Sequence, residues 1–176
     1  MKFEETSLPG AYVIRPDKQE DERGFFARTF CREEFKARGL NPVFVQCNIS
    51  FNRNKGTLRG MHYQLPPHQE TKLVSCVRGA VYDVIIDLRP SSPTYRRWLG
   101  IDLDEDNCVM LYIPVGFAHG FLTRRDRSGV SYLMGAIHHP GAAAGCRWND
   151  PAFDIKWPLP VSVISGRDRA FPDFSG

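Results

Sequence analysis

Short strand-like segments separated by turns fill most of this chain, and they constrain its fold more than any other feature. Candidate strands, rich in apolar and β-branched residues, span 11–16, 25–30, 43–50, 72–77, 80–88, 98–103, 109–113 and 130–134. A short helix is predicted over residues 32–38, and the proline-rich tail after Trp148 predicts an irregular wrap or short helical turns. Such closely spaced strands without long helices predict an all-β antiparallel barrel or double-sheet jelly roll with short peripheral helices.

The segment 80–88 has the clearest alternation of side chains. One side carries Tyr82, Val84, Ile86 and Leu88, whereas the other side places two carboxylates, Asp83 and Asp87, among aliphatic residues. The acidic side faces either solvent or the interior of the barrel. If it faces the interior, we expect Asp83 to be the partner of a histidine or a lysine.

Length and composition narrow the class of protein. A chain of 176 residues with 42% hydrophobic residues predicts one domain with a real core. The net charge of +3, without a long basic run, argues against nucleic-acid binding. Five cysteines without a Cys-x-x-Cys pair favour a reducing cytoplasm over a disulfide framework or a cysteine zinc site. The acidic N-terminal segment and the lack of a long apolar run predict no signal peptide and no membrane span.

One polar segment stands out among the strand-like ones. Residues 58–67 carry Arg59 and His62, and Lys72 follows closely. A guanidinium suits a phosphate group, an imidazole suits proton abstraction at neutral pH, and an ammonium suits a developing oxyanion. The three together indicate a site for an anionic small molecule that carries a carbonyl group.

A series of motifs then extends over nearly the whole chain. In order they are Asp21-Glu22-Arg23-Gly24-x-Phe26, Val45-Gln46-x-Asn48, Leu58-Arg59-Gly60-x-His62-Tyr63-Gln64, Lys72-Leu73-Val74, Val84-x-x-Asp87-x-Arg89, Ser92-Pro93-Thr94-Tyr95, Ile113-Pro114-x-Gly116-Phe117-Ala118-His119-Gly120-Phe121, Trp148-Asn149-Asp150-Pro151, Trp157-Pro158 and Ser165-x-Arg167-Asp168. With these motifs the sequence resembles the dTDP-4-dehydrorhamnose 3,5-epimerase family. The resemblance implies a single domain over residues 1–176, a cupin-type double-stranded β-helix, a homodimer and no metal or other cofactor.

The resemblance also implies a reaction and its catalytic residues. The family inverts stereocentres beside the C4 ketone of a nucleotide-linked 4-keto-6-deoxy sugar, in deoxysugar biosynthesis. His62 matches the general base, and Asp168 matches the carboxylate that orients it. Lys72 matches the cation near the keto oxygen, and Tyr132 matches the proton donor on the opposite face of the sugar ring.

Further positions match substrate contacts of the family. Arg23 and Arg59 match contacts to the diphosphate and sugar, where a forked guanidinium fits phosphate oxygens. The remaining predicted substrate-binding positions are Arg28, Gln46, Asn48, His119 and His138.

Four positions depart from the family pattern. Arg28 replaces a glutamate that contacts substrate, Cys47 replaces an acidic residue, and His138 replaces a tyrosine that stacks on thymine. Ala143 lies in a segment that usually carries another substrate-facing glutamate. These changes indicate either neutral drift at the rim of the pocket or altered selectivity. Altered selectivity means a CDP-, UDP- or GDP-linked substrate, another sugar, or inversion at C3 or C5 alone.

Three other interpretations are weighed against epimerisation. In a metal-dependent cupin, His62, His68, Glu70 and His119 would be the ligands, but cupin sites usually place two histidines one residue apart. A non-catalytic sugar-nucleotide-binding module would not need the four residues that match the catalytic set. A ketoisomerase acting between C3 and C4 shares the enolate chemistry, and Tyr132 favours epimerisation over it.

Overall fold

Strands make up most of the structure, as the spacing of the apolar segments predicts. The computed structural model describes residues 1–175. The strands are β1 (Lys2–Glu5), β2 (Tyr12–Arg15), β3 (Lys18–Asp21), β4 (Gly24–Ala27), β5 (Gln46–Asn52), β6 (Thr57–Gln64), β7 (Lys72–Arg78), β8 (Ala80–Asp87), β9 (Trp98–Asp104), β10 (Met110–Ile113), β11 (Phe117–Thr123), β12 (Ser128–Met134), β13 (Ala143–Gly145) and β14 (Val163–Ile164). The helices are α1 (Arg32–Lys36) and α2 (Gly166–Arg169), and a 3₁₀ turn spans Pro140–Ala142.

The strands form two large sheets. Sheet I has the order β1-β2-β10-β7-β12-β5, with antiparallel neighbours throughout. Sheet II has the order β13-β6-β11-β8-β9, and the short strand β14 pairs with β6 in parallel. Strands β3 and β4 form a separate hairpin around the predicted turn at 21–24. Strands that follow one another in sequence often lie in different sheets, which is typical of a jelly roll, and the predicted all-β class is confirmed.

The main core lies between the two sheets. Val74 and Val130 of sheet I pack in the same cluster as Val81, Ile85 and the other inward residues of sheet II. The acidic side of the segment 80–88 therefore faces the interior. The opposite side of β8 is also buried, because residues of the C-terminal tail cover it: Cys146, Phe153, Ile155 and Trp157. The predicted wrap of the tail is thus a second apolar layer on sheet II.

The outer face of sheet I is covered by α1 and the segment that follows it. Phe35 is fully buried against Leu73 and Met110, and its ring contacts those of Phe30 and Phe44 edge to face. The helix is shorter than predicted. It ends at Lys36, before the turn in which Gly39 adopts a positive φ of 70°.

Several strands lie outside the predicted segments. Strand β11 carries Gly120 and His119 among its seven residues, which weakens the apolar signal, yet all seven are buried. Strand β6 contains the polar segment with Arg59 and His62 itself, and not only its flanks. The predicted strand 43–50 begins later, at Gln46. Among the helices of residues 1–175, none has the length and apolar character needed to cross a bilayer.

Candidate active site

A cavity of about 270 Å³ opens between the two sheets, where β5, β7 and β12 face β6 and β11. It brings together six predicted site residues: Asn48, Arg59, His62, Lys72, His119 and Tyr132. Ile49, Ser50, Phe121 and Met134 complete the lining. The cavity therefore has basic and hydrogen-bonding groups set among apolar ones, which is the usual composition of a site for a polar small molecule.

A bulge in β6 places Arg59 and His62 in the same cavity. These residues are three apart, so a regular strand would point them to opposite faces. His62 pairs with His119 but Arg59 pairs with Phe121, so β6 has one residue more than β11 between the two pairs. Gly60 permits this arrangement. It has a φ of 148°, and a Cβ at this position would lie 2.6 Å from the Cα of Gly120.

His62 is held by a carboxylate from the C-terminal tail. Its Nε2 lies 2.8 Å from Oδ1 of Asp168, and the backbone N–H of Gly60 donates to Oδ2 of Asp168 at 3.2 Å. Ser165 caps the short helix α2, and its hydroxyl accepts from the backbone N–H of Asp168 at 3.0 Å. Burial opposes ionisation of Asp168, but its hydrogen bonds with His62 and Gly60 outweigh burial and leave its pKa below the ordinary value.

This pairing fixes the roles of the two ring nitrogens. An ionised carboxylate is an acceptor only, so Nε2 of His62 must carry the proton that it shares with Asp168. In the neutral ring, Nδ1 then bears the free lone pair. The His62 side chain is 39% exposed, whereas Asp168 is 6% exposed. The pair is thus an oriented base, with its carboxylate buried and its ring open to the cavity.

Tyr132 reaches the cavity from the opposite sheet. It lies on β12 in sheet I, whereas His62 lies on β6 in sheet II. The hydroxyls of Tyr132 and Ser50 lie 3.3 Å apart. Burial raises the pKa of the Tyr132 phenol above its ordinary value, so the phenol is protonated at neutral pH. An imidazole with a free lone pair and a protonated phenol therefore line one cavity from two sides.

Lys72 begins β7 and is largely buried. Its ammonium donates to the backbone carbonyl of His62 at 3.3 Å. The same Nζ lies 3.2 Å from Oε1 of Glu70. The lysine therefore brings a positive charge to the cavity beside the base.

A second histidine–carboxylate pair lies next to the first. Nε2 of His119 is 2.8 Å from Oδ1 of Asp83, and both side chains are almost fully buried. The expectation that Asp83 partners a histidine is therefore confirmed. The ring of His119 meets that of Tyr132 edge to face, with 6.1 Å between centroids.

Arg59 lies where three cavities meet. Its Nε donates to Oδ1 of the buried Asn52 at 2.7 Å, which leaves the outer nitrogens of the guanidinium for a ligand. It lines the main cavity and two neighbouring ones of about 430 Å³ each. Arg167 and Asp168 border one of these neighbours, and Arg53 borders the other. A ligand longer than a single sugar can therefore extend past Arg59.

Four predicted substrate-binding residues do not line the main cavity. Arg23 is exposed on the β3–β4 hairpin and pairs with Asp21, and Arg28 is exposed and pairs with Glu34. The backbone N–H of His138 donates to Oε1 of Gln46 at 2.6 Å. Gln46 lies in register with the cavity residue Met134, so this last pair lies close to the cavity.

The sequence predictions do not include Ser50 and Asn52, and they give Glu70 only as a candidate metal ligand. Ser50 lies two positions after Asn48, and Glu70 lies two positions before Lys72. The alternation of a strand puts such residues on the same side, so this signal was available. Asn52, which orients Arg59, continues the same alternation along β5.

The ligands of the alternative metal site do not converge. Within the described residues, no group of three or more His, Cys, Asp or Glu side chains could hold a metal ion. His68 instead stacks on His139, with 3.9 Å between ring centroids, and Glu70 pairs with Lys72. His62 and His119 are each occupied by a carboxylate of their own.

Comparison with known proteins agrees with this geometry. The family model described as dTDP-4-dehydrorhamnose 3,5-epimerase matches residues 5–176. An enzyme of that name from Methanothermobacter thermautotrophicus is 43% identical, over 96% of this chain and 91% of its own length. The crystal structure of the Bacillus anthracis enzyme with TDP and PPi bound has a TM-score of 0.95 and 38% identity, covering 98% of this chain and 99% of that one. A Legionella pneumophila enzyme in complex with dTDP-4-keto-L-rhamnose has a TM-score of 0.92 and 36% identity, covering 98% and 92%. The chain therefore has the cupin-type jelly roll of these epimerases and belongs to the dTDP-4-dehydrorhamnose 3,5-epimerase family.

Proposed function

We propose that this protein is a cofactor-independent 3,5-epimerase of dTDP-4-dehydro-6-deoxyglucose in deoxysugar biosynthesis. One observation carries the proposal: His62 and Tyr132 line a single cavity from opposite sheets, with Lys72 beside them. Inversion of a carbon requires a base on one face of the sugar and a proton donor on the other. The arrangement supplies both groups, together with a cation for the oxygen between the two reacting carbons.

In the first step, His62 removes a proton from a carbon next to the C4 ketone. Nδ1 is the basic atom, because Asp168 occupies Nε2 and supports the imidazolium that forms. The electrons of the broken C–H bond move to the keto oxygen and give an enolate. Lys72 stabilises this oxyanion, and one preorganised donor of this kind contributes roughly 2.7–4 kcal/mol in other enzymes.

In the second step, Tyr132 returns a proton to the opposite face. Its phenol is protonated at neutral pH because burial raises its pKa. Ser50 lies within hydrogen-bonding reach of the phenol oxygen and can donate to the phenolate that remains. The carbon ends with inverted configuration. His62 then releases the abstracted proton to solvent and the Tyr132 phenolate takes one up, which restores both groups, and the sequence repeats at the second carbon beside the ketone.

The nucleotide-sugar substrate is proposed from the relatives together with Arg59. The named complexes hold TDP with PPi in one relative and dTDP-4-keto-L-rhamnose in another. In this chain Arg59 joins the main cavity to two others, and its guanidinium suits the oxygens of a diphosphate. The sugar then lies among His62, Lys72 and Tyr132, and the nucleotide extends past Arg59.

We also propose that the enzyme is a homodimer. Strand β5 is an edge of sheet I, and Ile49 and Phe51 on it are exposed. An exposed apolar edge strand favours pairing with another chain. The hairpin with Arg23 also exposes Phe25 and Phe26. Packing this hairpin against a second subunit would reconcile the exposure of Arg23 and Arg28 with their predicted contacts to substrate. Sedimentation equilibrium of the purified protein tests the dimer, and a monomer at micromolar concentration would contradict it.

A cytoplasmic location is proposed from the cysteines. All five are free in the structure. Burial raises the pKa of Cys76 to about 11 and that of Cys146 to about 12, so both thiols stay protonated and unreactive. Free thiols in this number suit a reducing compartment.

The departures from the family pattern lie outside the lining of the main cavity. Arg28 pairs with Glu34, Cys47 is exposed, and His138 is exposed beside Gln46. Ala143 pairs with Gln64 at the outer edge of β6. We therefore propose that these changes affect the nucleotide end of the substrate and leave C3 and C5 chemistry intact. Affinities for dTDP, UDP, CDP and GDP test this. A clear preference for dTDP would exclude a change in the preferred nucleotide base.

NMR of dTDP-4-keto-6-deoxyglucose incubated with the enzyme in heavy water tests the whole proposal. We expect deuterium at both C3 and C5 together with inverted product. Exchange at one carbon alone would indicate a mono-epimerase, and no exchange would contradict the enzyme. In Tyr132→Phe we expect exchange to persist while inversion falls by about 10²-fold, because the base is kept and the proton donor is lost. Unchanged product formation in this variant would remove Tyr132 from its role.

A further inference from the structure

Glu70 is a buried acidic residue beside the cavity, and it has no role in the mechanism proposed above. Its Oε1 lies 3.2 Å from Nζ of Lys72, and the two side chains are 5% and 8% exposed. Oε2 of Glu70 is buried and has no hydrogen-bond partner among the described residues. A carboxylate so placed is costly to bury, so its contact with the ammonium is its main compensation.

The backbone forces the two side chains together. Glu70 lies two residues before Lys72, the first residue of β7, and the backbone hydrogen bond from Gly135 to Thr71 keeps this segment extended beside β12. The side chains of Glu70 and Lys72 therefore lie on the same side. Thr71, between them, is anchored in the opposite direction. Its Oγ1 accepts from Asn41 at 2.8 Å, and its carbonyl accepts from the N–H of Gly135 at 2.8 Å. The backbone between the two charged residues is therefore fixed by hydrogen bonds on Thr71.

The ammonium of Lys72 has three N–H donors to distribute. One is directed to the carbonyl of His62, and Glu70 attracts a second. The third is left for the cavity that Lys72 lines. We propose that Glu70 is a positioning residue, which holds Lys72 so that one N–H stays directed at the keto oxygen of the substrate. This inference rests on the proposed epimerase function, because it assigns Lys72 to that oxygen.

Two near-isosteric variants separate this role from mere packing. Glu70→Gln keeps an oxygen next to Lys72, whereas Glu70→Met keeps the volume but has no oxygen. In Glu70→Met we expect kcat for epimerisation to fall by about 10- to 100-fold, part of the effect of losing a whole oxyanion donor. KM and the Kd for dTDP should change by less than about twofold, because nucleotide contacts are untouched. Glu70→Gln should keep at least about a third of the wild-type kcat.

A second readout does not depend on turnover. In NMR of protein labelled at lysine Cε, a Lys72 side chain held in one conformation gives two distinct Hε shifts. We expect this separation in the wild type and in Glu70→Gln, and its collapse in Glu70→Met. Glu105→Met is the control, because Glu105 is a surface residue near the other end of β7 and pairs with Arg125. It should leave both readouts unchanged.

Each outcome decides the inference. Wild-type kcat in Glu70→Met, or an equal loss in Glu70→Gln and Glu70→Met, would overturn it. If the wild type itself shows no turnover, the proposed function fails, and the Hε shifts alone then decide whether Glu70 positions Lys72. If Glu70→Met does not fold, Glu70→Ala gives the same comparison with a smaller side chain.

Discussion

Two histidine–carboxylate pairs lie side by side in this protein and differ in what surrounds them. His62 and His119 are directly opposite on neighbouring strands, and each ring lies 2.8 Å from its carboxylate. The His62 side chain is 39% exposed, whereas that of His119 is 5% exposed. Asp168 also receives a backbone N–H at its second oxygen, whereas the second oxygen of Asp83 has no partner in the described structure.

The difference shows that pair geometry alone does not make a base. A ring that moves a proton must reach its substrate, and its carboxylate must stay charged while the proton comes and goes. The first pair has both properties, because Asp168 is stabilised as an anion by several donors. In the second pair both side chains are buried, and Asp83 holds the ring of His119 edge to face against the ring of Tyr132. The difference supports the proposed role of His62 in proton abstraction, and we propose that His119 positions the substrate.

The largest expected effect is on the rate of C–H exchange, and the same substitution made at each histidine distinguishes their roles. In His62→Asn we expect exchange of substrate C–H for deuterium to fall by about 10²- to 10⁴-fold at both carbons, because the base is gone. His119→Asn should reduce exchange far less. The rates are measured by NMR in heavy water. If the exchange rate fell by a similar factor in the two variants, the different roles given to the two pairs would be wrong.

A smaller loss of activity is expected from Asp168→Asn. The amide cannot support the imidazolium of His62, so kcat should fall by roughly 10²-fold. This is less than the ~10⁴-fold found for the buried serine-protease carboxylate, because the ring here is partly solvated. The pKa of Asp168 is lowered on folding, so its contribution to stability is present above its unfolded pKa and is lost as pH falls through the folded value. The variant should therefore be less stable than the wild type at neutral pH, and this difference should shrink as pH falls through the folded pKa. Wild-type kcat in the variant would contradict the assignment.

Asp83→Asn should affect folding more than chemistry. The amide oxygen can still accept from His119, but a charged hydrogen bond in the core is lost, so we expect the free energy of unfolding to fall by about 1.5–3 kcal/mol. Turnover should stay within about tenfold of the wild type. Urea unfolding and steady-state kinetics measure the two effects. A larger loss of turnover than in Asp168→Asn would reverse the roles given to the pairs.

The smallest effect on turnover is expected at a buried carboxylate outside the site. Burial opposes ionisation of Asp87, but Arg89, Ser92 and Thr94 outweigh burial and lower its pKa from 3.8 to about 2. Because this depressed pKa is worth roughly 2 kcal/mol at neutral pH, Asp87→Asn should lose about that much stability with unchanged kcat. That difference should shrink as pH falls from 4 towards the folded pKa. If Asp87→Asn stayed folded but lost kcat, the functional site would have to include residues beyond the two histidine pairs.

The fold was predictable because its signals are local. Short apolar segments with turns between them predict the two sheets. The alternation along β8 groups Asp83 with aliphatic residues but leaves open whether that side faces solvent or the interior, and the structure shows that it faces the interior. The tail was harder, because its role as a second layer depends on contacts such as that of Phe153 with sheet II. Periodicity gives the side on which a residue lies, but it does not say what will cover that side.

The site was predictable only in part. Asp168 lies 106 residues from His62 along the chain, so the resemblance and not the pattern brought them together. The shared face of Arg59 and His62 depends on an extra residue in β6 relative to β11, which is a property of the pairing between two distant strands. The sequence offers Glu70 only as a candidate metal ligand, whereas the structure pairs it with Lys72.

The close contact of Gly60 with Gly120 has a consequence for how the two strands find each other. A slip of one residue would bring a side chain against backbone at this crossing, since a Cβ at Gly120 would lie 2.7 Å from the carbonyl oxygen of Arg59. Such a slip would also turn the following side chains to the wrong face. The two glycines thus favour a single alignment of β6 and β11, and that alignment is the one that places the imidazole of His62 in the cavity.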